Sequence, residues 1–138
     1  MDKRDTILRL RNARLEIGGT TLFSGLSMEA RAGEIVLLAG RSGVGKSSLM
    51  HVISGYYPNE DAAVDCEQLE VAGHDLRGKS LLERTRYVRS VFQNARLSFA
   101  MATPYEEMLF CLENFCAPVH QMEERVMKQA RACRIQPL

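Results

Sequence analysis

From Leu8 the chain alternates: Leu8 and Leu10 stand against Arg9 and Arg11, then Leu15 and Ile17 against Arg14 and Glu16. A period of two marks a strand with one buried face. Gly18-Gly19 supplies a turn pair, and Leu26, Met28 and Ala30 alternate again. The pattern predicts an antiparallel hairpin with an irregularity at Ser24-Gly25, followed by a turn at Arg31-Ala32-Gly33. Ile35 to Ala39 is apolar at every position, which predicts a central strand covered on both faces.

A helical pattern follows over Ser47–Ser54 and stops at Gly55, a residue suited to close a helix; Tyr56-Tyr57-Pro58-Asn59 reads as a loop. Strands are expected near Leu69–Val71 and over Tyr87–Phe92, with a polar connection between them. Thr103-Pro104-Tyr105-Glu106 opens a helix: Thr103 caps it, Pro104 suits the first turn and Glu106 completes a capping box. Tyr105, Met108, Leu109, Leu112 and Cys116 give that helix an apolar face. Met122, Val126, Ala130 and Cys133 form a narrower stripe on a second helix, predicted to end before Pro137.

Composition narrows the class. The chain has 138 residues, 46% hydrophobic and 25% charged, the balance of a globular protein. The apolar run at 35–39 is far short of the roughly 18 residues a membrane span needs. Met1-Asp2-Lys3-Arg4-Asp5 leads into no signal-peptide core, so a cytoplasmic protein is expected. Cys66, Cys111, Cys116 and Cys133 form no C-x-x-C pair and read as reduced thiols, with a zinc site the minor alternative. A net charge of +1 and the absence of tryptophan give no footprint for nucleic acid. Locally the charge is uneven. Six bases against Glu83 fall between Arg77 and Arg96, and five acids without a base between Glu106 and Glu124. These runs read either as solvated faces or as a charged docking surface.

The strongest chemistry is at Gly40-Arg41-Ser42-Gly43-Val44-Gly45-Lys46-Ser47, which matches G-x-x-x-x-G-K-[ST] without a mismatch. Glycines let the backbone turn so that successive N–H groups face a β-phosphate. Lys46 is placed to reach β- and γ-oxygens, the Ser47 hydroxyl to ligate Mg²⁺, and the following helix to add its dipole.

Two stretches, Gly33 through Leu49 and Val91-Phe92-Gln93-Asn94, resemble the ATP-binding subunit of ABC transporters. Thr103, Glu106, Glu107, Phe110, Glu113 and Asn114 narrow the resemblance to energy-coupling factor transporters, which import vitamins and metals. The resemblance implies an α/β fold of the P-loop NTPase type, with a mainly parallel sheet and an N-terminal antiparallel β portion. It implies a layout of residues 1–33 as that antiparallel portion, 34–93 as the P-loop core and 94–138 as the start of a helical portion. ATP phosphates would be contacted by Arg41, Ser42, Gly43, Val44, Gly45, Lys46, Ser47 and Ser48, and Mg²⁺ and the attacking water would involve Ser47 and Gln93. Lys46 and Gln93 would then be the catalytic pair. Implied partners are an integral-membrane transporter subunit, contacted through residues 93–115, and a second ATPase subunit, on the inner face of the cell membrane. Phe99, Met101, Met108 and Phe110 would give the membrane-subunit contact its apolar surface, and Glu106 and Glu107 its charge.

The sequence departs from the family at several points. Ile17 stands about where an aromatic ring usually stacks on adenine, with no aromatic nearby before Phe23. Ala95 replaces a common proline, and Arg96-Leu97-Ser98 lacks the acidic and glutamine residues often found there. No L-S-G-G-Q signature, no apolar strand ending in Asp-Glu and no histidine beyond His120 occurs. The resemblance therefore covers the first half of the family's domain, and the expectation is ATP binding without turnover by this chain alone. The alternatives are a stand-alone, non-hydrolysing ATP-binding or interaction module and, more weakly, a small P-loop kinase.

Overall fold

The computed structural model describes residues 6–94 and 99–135. The readings made on Met1–Asp5, on Ala95–Ser98 and on Pro137 lie outside them. The chain forms two compact units, Met1–Ser90 and Val91–Leu138.

The first unit is built on the predicted hairpin, β1 (Thr6–Ile17) and β2 (Thr20–Arg31), paired antiparallel along their whole length. On its other edge β1 pairs with β3 (Ala62–Asp65) through Arg14–Ile17 and with β4 (Gln68–Val71) through Leu8–Arg11. A two-residue strand, β5 (His74–Asp75), completes the sheet beside β4. The alternation in β1 changes phase between Leu10 and Ala13, and the structure shows how. Asn12 sits at φ 48° with its N–H donating to Ser27 Oγ at 2.9 Å, and the register slips there between Leu10–Met28 and Ala13–Leu26, with Gly25 next along β2 at φ 72°. This bulge puts Leu10, Ala13 and Leu15 on one buried face, each at 0% exposure.

That face is covered by α1 (Lys46–Ser54). Leu49 and Ile53 of α1 pack with Leu10, Ala13, Leu69, Val71 and Leu76, and Val52 packs with Leu15 and Ala62. The helix closes at Gly55, whose N–H donates to His51 O at 3.0 Å, as the sequence predicts. A short helix, α2 (Leu81–Arg84), begins with a capping box between Ser80 and Glu83.

Two strand expectations are corrected. Glu34–Ala39 forms no strand, with Ile35 at 96% and Leu37 at 86% exposure, while Leu38 packs against the core. Tyr87–Phe92 forms no strand either, since Tyr87 and Val88 close the α2 turn by donating to Arg84 O. The reason is common to both. Every strand pairing among the described residues is antiparallel and none runs beside either segment, so neither backbone has a ladder to join. The fold class is α/β, and the expected mainly parallel sheet is not seen.

The second unit holds α3 (Pro104–Asn114) and α4 (Val119–Cys133). Thr103, Pro104 and Glu106 form the predicted helix start, Thr103 Oγ1 accepting from Glu106 N at 3.2 Å. Met122, Val126 and Ala130 of α4 are buried as the stripe predicts, whereas Cys133 is exposed. The apolar face of α3 is only half-covered, and no α3 residue is fully buried.

Candidate functional site

The glycine loop lies in the first unit between the exposed 34–39 segment and α1. Gly45 precedes the helix at φ 98°, a left-handed conformation that L side chains rarely adopt. A Cβ there would also lie 3.2 Å from Leu22 Cδ2 and 3.4 Å from Phe23 Cδ1. The second fixed position of the motif is thus glycine for two reasons, backbone conformation and close approach to β2. Leu22 and Phe23, which buttress the loop from below, are residues the sequence reading missed. Their contact is long-range and has no spacing signal.

Lys46 turns back over its own loop. Its Nζ donates to Gly40 O at 2.9 Å and Arg41 O at 2.8 Å, which fixes the ammonium by main chain alone. The first intrahelical bond runs from Leu49 N to Gly45 O at 2.8 Å. The amides of Lys46, Ser47 and Ser48 therefore precede the hydrogen-bonded ladder, as at any helix start. No side chain caps them, and no acid occupies the first turn. N–H donors outside the helical ladder, the positive end of the helix dipole and a lysine thus share one short segment, the chemistry an anion seat requires. The donor set fits phosphate oxygens. Arg41, Ser42, Gly43 and Val44 form the exposed outer curve of the loop, and Ser47 is exposed on the first turn.

Ile17 ends β1, pairs with Thr20 and Ala62, and packs half-buried against the cluster of Leu15, Val52 and Ala62. It shares the first unit with the loop, and its visible role is packing. Gln93 belongs to the second unit and is exposed in a bend. Among the described residues no three His, Cys, Asp or Glu side chains gather as a metal site.

One further residue carries weight that the sequence did not reveal. Arg84 is 4% exposed, yet among the described residues it donates to main-chain carbonyls alone, Nη1 to Val52 O at 2.8 Å and Nε to Lys79 O at 3.1 Å. Burial lowers its pKa from the ordinary arginine value. Within the basic run Arg77 pairs with Asp75 at 2.7 Å, Lys79 pairs with Glu83 and Arg84 is buried. In the second unit Glu107 Oε2 accepts from the amides of Ala100 and Met101, each at 2.9 Å, and Glu106 Oε2 accepts from Thr103 N at 3.1 Å. Both carboxylates expected to face a partner are thus engaged in holding the entry to α3.

A G-x-x-x-x-G-K-S loop leading into the uncapped start of a sheet-packed helix is the motif of phosphate-binding-loop proteins. The chain belongs to the ABC transporter family, whose profile matches residues 23–137. It is 35% identical over 99 residues to a putative ABC transporter ATP-binding protein of Bacillus anthracis, a match covering 72% of this chain and 18% of the relative. A putative ABC transporter ATP-binding protein of Lactobacillus johnsonii is 32% identical over 113 residues, 82% of this chain and 20% of the relative. An energy-coupling factor transporter ATP-binding protein of Fusobacterium nucleatum is 26% identical over 119 residues, 86% of this chain and 43% of the relative. The chain thus spans about a fifth of the length of the first two relatives. Among the described residues no helix is long and apolar enough to cross a membrane.

Proposed function

We propose that the chain binds Mg-ATP through residues 41–48 and serves as the phosphate-binding part of an ABC transporter ATPase, of the energy-coupling factor type that powers solute import. The observation that carries this is Lys46 held by two loop carbonyls beside the uncapped start of α1. In this reading the amides of Lys46, Ser47 and Ser48 converge on phosphate oxygens, and Lys46 Nζ directs its remaining proton at the same anion. By the family resemblance the Ser47 hydroxyl would be a ligand of Mg²⁺, which would neutralise phosphate charge, and Gln93, a residue of the second unit, would be the one assigned to the metal and to the attacking water in a whole ATPase. Ile17 offers adenine an apolar contact without stacking, so ATP is little preferred over GTP.

The partners proposed are an integral-membrane subunit, docking on residues 93–115, and a second ATPase subunit, on the cytoplasmic face of the membrane. An apolar groove of about 410 Å³ supports the first, lined by Phe99, Met101, Pro104, Met108 and Ile135, with Phe99 63% exposed. Turnover is not expected of the chain alone, since it carries no signature motif and no Asp-Glu strand. Titration calorimetry with Mg-ATP tests the assignment. Lys46→Ala removes a charge-assisted phosphate contact and is expected to weaken binding by about 1.5–3 kcal/mol. Equal affinity in the variant would overturn it.

A further inference from the structure

Behind α1 lies a cleft of about 580 Å³ whose lining includes Gly55, Cys66, Arg77, Lys79, Ser80 and Arg84. Arg77 and Lys79 have acidic partners there, but among the described residues no carboxylate lies within ion-pair distance of Arg84. A buried cation persists only where something offsets its lost hydration. Here the offset is the carboxyl-terminal end of α1: Val52 O belongs to the last turn, where carbonyls have no helical donor and the dipole is negative.

We propose that Arg84 is a positioning residue for the phosphate site, fixing α1 along its axis and thereby setting where Lys46 and Ser47 stand at the other end; this rests on reading the loop as a nucleotide site. A helix of nine residues is a hydrogen-bonded rod of about 13.5 Å, so axial slip at one end is slip at the other. The grip is shaped for this side chain. Any Cβ on Gly55 would come within 2.6 Å of Arg84 Cδ, so the glycine that closes α1 also opens the slot the arginine fills. It is anchored as well. Arg84 O accepts from Tyr87 N and Val88 N, both at 2.9 Å, and those two side chains pack on the core cluster that contains Leu49 and Ile53. Arg84 therefore ties the carboxyl end of the helix to the same core its apolar face rests on.

The test uses Arg84→Met, which keeps the stem and removes the donors and charge, and Arg84→Lys, which keeps the charge. Amide hydrogen exchange without nucleotide is compared over 46–54 and over β1, and Mg-ATP affinity is measured alongside. Arg84→Met is expected to speed exchange across α1 by about tenfold while leaving β1 unchanged, the sign of local rather than global opening. Its Mg-ATP affinity should fall about tenfold, the scale of a displaced binding group, and Arg84→Lys should recover part of that loss. Faster exchange in β1 and α1 together, with unchanged affinity of the folded chain, would mean a merely structural arginine and overturn the proposal. Unchanged exchange across α1 would overturn it too. If the unmodified chain did not bind Mg-ATP, or Lys46→Ala bound equally, the nucleotide reading would fall. The proposal would fall with it, even if the exchange result still showed Arg84 holding α1. Where Arg84→Met does not fold, Arg84→Lys is read in the same way.

Discussion

β1 and the segment Glu34–Ala39 make an instructive pair. Both read as strands, and the second has the denser run of β-branched and aliphatic residues. Yet β1 buries Leu10, Ala13 and Leu15 completely, while Ile35 and Leu37 are almost fully exposed. The difference is in the neighbours. β1 is flanked by β2 on one edge and by β3 and β4 on the other. Its outward charges are also matched, Arg9 to Glu29 at 2.9 Å and Arg11 to the same carboxylate. Among the described residues the segment at 34–39 has no strand beside it. Apolar content raises the value of pairing, but a strand exists only once a second backbone supplies the ladder.

The sharpest way to break this comparison is to truncate one side chain in each region. Leu10→Ala removes a fully buried side chain from the sheet–helix core and should lower unfolding stability by about 2–5 kcal/mol. Leu37→Ala, at an exposed site, should stay within about 0.5 kcal/mol of the unmodified chain in the same denaturant titration. Similar losses at both positions would mean that the apolar run is paired in solution.

Thiol labelling sharpens the same contrast without mutation. Cys66 is half-buried against the core that β1 and β4 share, and burial pushes its thiol above the ordinary value; Cys111, Cys116 and Cys133 are exposed. Because the thiolate is the reactive form, Cys66 should alkylate about tenfold more slowly than Cys133 at neutral pH. Mass-resolved labelling gives the ratio, and equal rates would show that the paired region opens as freely as the chain's exposed parts.

The smallest effect is expected at the sheet margin. Hydrogen bonds from Arg77 hold Asp75 of β5 down to about 2 from an ordinary value of 3.8. A carboxylate depressed in the folded state contributes stability above its unfolded pKa and loses it as the pH falls through the folded one. The chain should therefore lose stability between about pH 4 and pH 2, and Asp75→Asn should flatten that slope. At this solvent-exposed pair the difference is expected to be about 0.5 kcal/mol. Thermal melts at pH 5 and pH 2.5 would read it, and an unchanged slope in the variant would remove Asp75 from the account.

Local rules made several features legible in the sequence. The hairpin, the glycine loop, α1 with its stop at Gly55, the Thr103–Glu106 capping box and the buried stripe on α4 all follow from periodicity or from side chains meeting their own neighbouring backbone. The phosphate loop belongs here too, because its donors come from consecutive residues. The tertiary structure alone decided whether 34–39 became a strand, where Leu22 and Phe23 support Gly45, and that Arg84 reaches back 32 positions to Val52. Each of these depends on a partner distant in the chain, and hydrophobic pattern records how much a residue gains from burial, not which surface will cover it.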